Sequence, residues 1–243
     1  MFNRPEFEAS KARQAIHMAD DQALKSSAFE FVTAADKYDY AYQQTWLGMP
    51  IIQLPEDILV TQELFWADRP DVVIETGVAW GGSVVLHASL MELAGKGKVI
   101  AIDQVLPPHL RADIMKFSFS HRIQLIEGSS ENQDVADAVK AQIGASDRVA
   151  VFLDSNHSHE HVLAELRLYG SLVSKGQHLT VYATAIARMP VSTHRPRPWG
   201  PEANPMTALQ AYLNETDRFV VDAICERKSL VSFAPQGRLL CVK

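Results

Sequence analysis

DVVIETGVAWGGSVVLHASLMEL, residues 71–93, carries three patterns in succession. Val72, Val73 and Ile74 form a short β-branched apolar run, which predicts a central strand of a parallel sheet covered on both faces. Gly77, Gly81 and Gly82 then mark a tight turn, and from Ser83 an apolar helical pattern runs through Leu86, Leu90 and Leu93. A strand that turns directly into a helix leaves free backbone N–H groups at the helix start, where they can meet a ligand. Glycines let that ligand approach the backbone closely.

The glycine spacing narrows the ligand. A dinucleotide fingerprint beginning at Gly77 needs glycines at positions 79 and 82, and position 79 is Ala79. Glu75, just ahead of the first glycine, would repel a pyrophosphate but would attract an ammonium or accept a hydroxyl hydrogen. Strand–E-x-G-x-x-x-G-G therefore resembles the cofactor loop of S-adenosylmethionine-dependent methyltransferases. The alternative is a plain strand-to-helix turn in an α/β domain.

On the N-terminal side, residues 1 to about 35 read as amphipathic helix, and DKYDYAYQQT (Asp36–Thr45) is aromatic and polar. Pro50 and Pro55 bracket an apolar segment that reads as extended or loop structure. Pro55-Glu56-Asp57 starts a helix that ends at Arg69-Pro70. On the C-terminal side, KVIAID (98–103), RIQLIE (122–127) and RVAVFLD (148–154) read as buried strands, with helices over His109–Phe119, Asn132–Ile143 and Val162–Tyr169. Leu179–Tyr182 begins a fifth strand, Met206–Leu213 is a helix, and Phe219–Ala223 and Arg238–Val242 read as closing strands. Alternation of this kind predicts a doubly wound, Rossmann-like α/β sheet. Glu75, Asp103, Ser129 and Asp154 fall at strand C-termini, the edge where such sheets bind ligands. An acid ending the second strand commonly binds ribose hydroxyls, and Asp103 has that position; a capping or solvated aspartate is the competing reading.

The 243 residues suit one large α/β domain or two small ones, and 47% hydrophobic with 21% charged residues is ordinary for a globular protein. A net charge of −6 argues against a nucleic-acid binder with a broad basic surface. Cys225 and Cys241 make neither a disulfide framework nor a CxxC site, which favours a reduced, cytoplasmic setting. The N-terminus lacks the apolar core of a signal peptide, and no stretch reaches the apolar length of a membrane span.

Taken together, TWLGMPIIQLPEDILVTQELFW, ETGVAWGGS, AIDQ, GSS, FLDSNHSHEHVLAELRLY and RPWGPEANPMTAL resemble the cephalosporin hydroxylase family. Despite its name, that family comprises proteins of methyltransferase fold, among them cephamycin-biosynthesis proteins and rhamnosyl or other sugar O-methyltransferases. The resemblance runs from about Trp46 to the C-terminus, so residues 1–45 are expected to form a helical extension and residues 46–243 the methyltransferase domain. It implies a class I sheet of seven strands, the last antiparallel. It also implies S-adenosylmethionine as cofactor, bound by Glu75, Gly77, Ala79, Gly81 and Ser83 in the loop, Asp103 and Gln104 at the ribose, Ser129 on the adenine side, and Asp154 near the transferred methyl. The reaction implied is O-methylation of a sugar or other small-molecule natural product by a homo-oligomer. The alternative is an accessory protein that binds cofactor without transferring methyl.

Two positions depart from the family pattern. Trp80 stands where members commonly have His or Arg. Tyr182 and Ala183 stand where metal-binding members carry acids that join the aspartate matching Asp154 in holding Mg²⁺. Asp154 alone is a poor Mg²⁺ site, because a hard cation prefers several oxygen ligands. Without a metal to acidify the acceptor hydroxyl, a histidine base becomes the expected device, and His157 or His159, just after the fourth strand, is the candidate. The competing reading makes both the polar first turn of a helix. His157 and His161, four residues apart, could face one zinc ion, but the remaining ligands of such a site are missing. In the proline-rich stretch from Ala187 to Pro205, Arg195 and Arg197, with Arg188 and His194, could clamp an acidic or phosphorylated substrate, and Trp199 could stack on a sugar ring. A solvent loop or an oligomer contact fits that stretch equally.

Overall fold

Val72, Val73 and Ile74 are each almost completely buried, as a β-branched run without polar alternation requires. The computed structural model describes residues 2–243. Helices α1 (Arg4–Asp20) and α2 (Gln22–Asp36) come first, each capped by a side chain, Asn3 and Asp21, that accepts a first-turn N–H. A hairpin of β1 (Gln44–Trp46) and β2 (Met49–Ile51) leads to α3 (Pro55–Asp68). Then follow β3 (Val72–Thr76), α4 (Gly82–Ala94), β4 (Lys98–Asp103), α5 (Pro108–Met115), β5 (Ile123–Glu127), α6 (Gln133–Lys140) and β6 (Val149–Leu153). The chain closes with α7 (His159–Tyr169), β7 (His178–Val181), α8 (Pro205–Glu215), β8 (Phe219–Val221), α9 (Ala223–Lys228) and β9 (Arg238–Cys241).

Seven strands form one sheet in the order β5-β4-β3-β6-β7-β9-β8. β3 lies parallel between β4 and β6, with Glu75 opposite Ala101 on one side and Phe152 on the other. β9 runs antiparallel to both neighbours, β7 and β8, so the last strand is the reversed one, as expected. Alternate side chains feed two cores. Val73, Ala101 and Phe152 pack with Val85 of α4 and Ile114 of α5; Ile74, Ile102 and Val151 pack with Val139, Leu166 and Leu209 of α6, α7 and α8. The strand order reverses between β3 and β6, which opens a crevice at their C-terminal ends.

The segment around Pro50 is extended, as expected, and forms a hairpin strand turned through Leu47 and Gly48 at φ of 50° and 88°. Three-residue strands are too short for a periodic signal, and Pro50 sits where no ladder N–H is needed. α1 buries no residue and α2 buries only Val32, so the N-terminal helices contribute little to the core. Leu93 is 73% exposed whereas His87 and Ser89 are buried. The expected boundary near residue 45 falls inside the hairpin, where Thr45 pairs with Pro50. A short helix, α9, separates the two closing strands. No helix among the described residues is long and apolar enough to cross a membrane, and both cysteines are free and buried.

Candidate active site

The turn after β3 is built on left-handed backbone. Gly77 and Gly81 have φ of 91° and 83°, and Ala79 takes 47° without being glycine. Gly77 crosses the backbone of Asp154 with no room for a side chain, and Gly82 presses in the same way on the Pro50 carbonyl. Asp103 fastens the turn from the neighbouring strand. Its Oδ2 accepts the N–H of Val78 at 2.8 Å and of Ala79 at 3.1 Å, and its Oδ1 accepts that of Val105 at 3.3 Å. Glu75 lies beneath the turn, 1% exposed. Its two oxygens bond the Ser83 hydroxyl and, at 2.8 Å, Nδ1 of His87. Glu75 thus anchors the first turns of α4 from below.

A cavity of about 320 Å³ opens above the turn. Its floor is Gly77–Trp80, Gly82 and Ser83; its far side is Asp154, Ser155 and His157 after β6, with Tyr182 and Ala183 after β7. Burial, with the carboxylates of Glu75, Asp57 and Glu165 nearby, pushes the Asp154 carboxyl well above the usual carboxylate range. Burial lowers His157 to about 4, and the charge of Arg197 adds to the effect against the opposing pull of Glu165. The His157 ring stands edge-on to Trp199, with centroids 5.0 Å apart. His159 takes another direction: its Nδ1 lies 2.8 Å from the Thr207 hydroxyl of α8, and it does not line the cavity. Asp103, Gln104 and Ser129 share the same sheet edge but lie outside the cavity, because the Val78–Ala79 backbone folds over toward Asp103.

The roof comes from the loop after β7 and from the end of α2. Arg195, Arg197 and Trp199 line the cavity together with Asp36 and Tyr42. Arg195 binds the Asp36 carboxylate, reaches Asp39 at 3.2 Å, and lies over the Tyr42 ring at 4.7 Å. Arg197 donates to the Tyr42 hydroxyl at 3.2 Å, and Arg188 covers Phe29 at 4.7 Å. Arg197 lines the cavity without a carboxylate partner among the described residues. Arg195 is matched by Asp36 and Asp39 and serves as a latch between loop and helix.

Asp57 and Gln53, which sequence reasoning did not mark as site residues, complete the wall beside Tyr182. Asp57, 1% exposed, is paired with the equally buried Arg238, while its oxygens also bond the Ser232 hydroxyl at 2.6 Å and the Phe233 N–H at 2.8 Å. Tyr182 Oη bonds Thr61 Oγ1 at 2.9 Å. Gln53 is 3% exposed, and its side-chain carbonyl oxygen is buried with no hydrogen-bond partner. One polar residue inside the apolar run Ile51–Leu54 was the available signal for it. Below the cavity, Ser155 Oγ donates to Glu165 at 2.6 Å and lies 3.1 Å from Nε2 of His161. His161 is thereby engaged with Ser155, Ser130 and Glu165 rather than poised with His157.

The donor set does not suit Mg²⁺. Ala183, with φ of 59°, lines the cavity together with Asp154 and brings no carboxylate to it. Among the described residues, no three His, Cys, Asp or Glu side chains come together as a metal site.

A seven-stranded sheet with one reversed strand, a glycine turn after β3, an acid ending β4 and an aspartate after β6 define a class I methyltransferase. The chain belongs to the rhamnosyl O-methyltransferase/CmcI family, whose model matches residues 38–241. It is 30% identical over 202 residues to the rhamnosyl O-methyltransferase of Mycobacterium tuberculosis, covering 81% of this chain and 77% of that one. The Mycobacterium leprae protein of the same name is also 30% identical over 202 residues, with 81% and 82% covered. Among solved structures, a Mg-SAM form of CmcI aligns with a TM-score of 0.59 at 17% identity, over 83% of this chain and 78% of that one. An O-methyltransferase from Bacillus cereus in complex with SAH aligns at 0.50 and 13% identity, over 84% and 86%. These two likenesses are of fold.

Proposed function

We propose that this cavity transfers a methyl group from S-adenosylmethionine to a hydroxyl of a sugar or other small-molecule natural product. The observation that carries the reading is the convergence of the Gly77–Ser83 turn, Asp154 and His157 on one cavity at the reversal of strand order. The cradle suits such a cofactor: side chains are excluded at Gly77 and Gly82, so a ligand can lie against bare backbone. The first N–H groups of α4 would hold its carboxylate end. Asp103 accepts three N–H bonds and, as a carboxylate, has further lone-pair capacity for ribose hydroxyls. Gln104 and Ser129 lie farther along that edge, toward an adenine. When bound, the cofactor supplies an electrophilic methyl on a sulfonium.

The residues of the far wall then prepare the acceptor. The best general base has a pKa near the working pH. Asp154 is raised well above the usual carboxylate range, which strengthens it as a base once ionised, and His157 is lowered, which weakens it as one. The acceptor proton is therefore assigned to Asp154. His157, neutral through the physiological range, orients the hydroxyl through one hydrogen bond. Trp199 offers a flat apolar face to a sugar ring and closes the site against water. Ala183 favours a second reading, a cofactor-binding accessory protein, because the metal ligands of an active relative are incomplete. The acidic chain charge and the small concave site support a small-molecule partner rather than nucleic acid, and the two free, buried cysteines support a reduced, cytoplasmic setting. Exposed Phe7, Ile16 and Phe31 on α1 and α2 support self-association. Residues 1–45 are then an extension that completes the roof.

Calorimetry with S-adenosylhomocysteine and with NAD tests the cofactor; the first should bind saturably, with Asp103→Ala weakening it. Saturable NAD binding without a response to S-adenosylhomocysteine overturns the proposal. Incubation of labelled donor with sugar-bearing acceptors separates the enzyme from the accessory protein.

A further inference from the structure

Gln53 is a buried polar side chain of the cavity wall whose carbonyl oxygen the fold leaves without a bond. Its residue is 3% exposed, yet no described group donates to its carbonyl oxygen. A buried unpaired acceptor costs stability, so its retention calls for a partner that arrives from outside. Its neighbours on that wall are already engaged. Asp57 is taken by Arg238, Ser232 and Phe233, Ser83 by Glu75, and Tyr182 by Thr61.

Position identifies the partner. Gln53 is two residues beyond Ile51, and Pro50–Ile51 press directly on Gly82 at the first turn of α4, where a β-carbon would meet the Pro50 carbonyl at 2.3 Å. Gln53 thus belongs to the end of the cavity next to the α4 N-terminus. Asp103, the ribose candidate, lies across the glycine turn and outside the cavity, and Trp199 belongs to the roof. The free helix N–H groups attract a carboxylate. An acceptor beside them fits an ammonium on the adjacent carbon. A primary amide holds an acceptor and a donor side by side, which complements a zwitterion; a lone hydroxyl would use only half of it.

We propose that Gln53 binds the α-amino-acid head of the methyl donor, its Oε1 accepting a hydrogen bond from the ammonium. This rests on the methyl-donor reading above. Gln53 is a positioning residue: fixing the head group fixes the sulfonium relative to Asp154.

The test compares S-adenosylhomocysteine, which has the amino-acid head, with 5′-methylthioadenosine, which lacks it. Calorimetry is run on the wild type, Gln53→Leu and Gln53→Met. Loss of a hydrogen bond to a charged group should weaken S-adenosylhomocysteine by roughly 10- to 100-fold, with methylthioadenosine unchanged. Because Oε1 makes no bond within the protein, the Met variant should melt no lower than the wild type. Equal weakening of both ligands, or a marked fall in melting temperature, would show a structural role and overturn the assignment. Unchanged binding of both, including the case in which acceptor KM alone rises, also overturns it. A wild type that binds neither ligand defeats the methyl-donor reading itself, a failure distinguishable from that of Gln53 alone.

Discussion

A β-carbon on Gly77 would stand 2.2 Å from the carbonyl oxygen of Asp154. The ends of β3 and β6 are therefore interlocked through backbone, and the cofactor turn and the proposed base share one fixed point. Gly77→Ala must open this contact while also holding φ near 91°. It should cost about 2–5 kcal/mol in chemical denaturation and abolish S-adenosylhomocysteine binding. Gly176→Ala is the control: its φ is 78°, but nothing lies within 4 Å of the added carbon. It should cost about 1–2 kcal/mol and leave binding intact.

Asp154→Asn should lower kcat by about 10²- to 10⁴-fold with little change in cofactor affinity. Because the carboxyl must be ionised to act, and burial raises it, wild-type activity should climb with pH along a limb centred above the ordinary aspartate value of about 3.9. His157→Ala should raise acceptor KM more than it lowers kcat. A loss in His157→Ala equal to that in Asp154→Asn would return the proton to the histidine.

Chelation should leave the methyl-transfer rate essentially unchanged, because Ala183 supplies no oxygen beside Asp154. Dialysis against EDTA followed by assay with and without added Mg²⁺ decides it. A rate that disappears and returns with Mg²⁺ would mean that ligands come from elsewhere.

His178 ties β7 to the end of α3 and the start of α9. Its Nδ1 lies 2.5 Å from Asp68 and its Nε2 3.0 Å from Asp222. These two bonds outweigh burial and raise the imidazole to about 9, while Asp222 is held well below its usual range by the same bond. The folded pKa exceeds the unfolded value, so the stabilisation is fully present below about pH 6.5. It is lost as pH rises through about 9. Urea melts at pH 6 and pH 9.5 should differ for the wild type and much less for His178→Gln. At pH 6, His178→Ala should cost about 1–3 kcal/mol, since two half-buried carboxylates lose their partner.

The β3 strand, its turn and α4 were legible because local chemistry specifies them: β-branched residues, then glycines, then a helical period. Asp154 and Asp103 were legible as acids ending strands. Direction after the strand end was not. His157 and His159 are two residues apart, and only the packing of α8, with Thr207, decides which one turns away. The pairing of Asp57 with Arg238 spans 181 positions, and no local pattern marks it. The pairing of Arg195 was not legible, because its countercharges, Asp36 and Asp39, lie in a segment without a motif of its own.

The Arg195–Asp36 latch has a consequence for altering what the protein accepts. The cavity floor is the turn after β3, whereas its roof is divided between residues 36–42 and 187–201, held together by that ion pair and by Arg197 on Tyr42. The two segments constitute one graftable cassette. A relative's late loop transplanted alone would leave Asp36 and Asp39 facing a foreign surface without their cation. Chimeras exchanging both segments together should retain a closed roof and take on the donor relative's acceptor range, which makes the pair, rather than either loop, the unit for redesign.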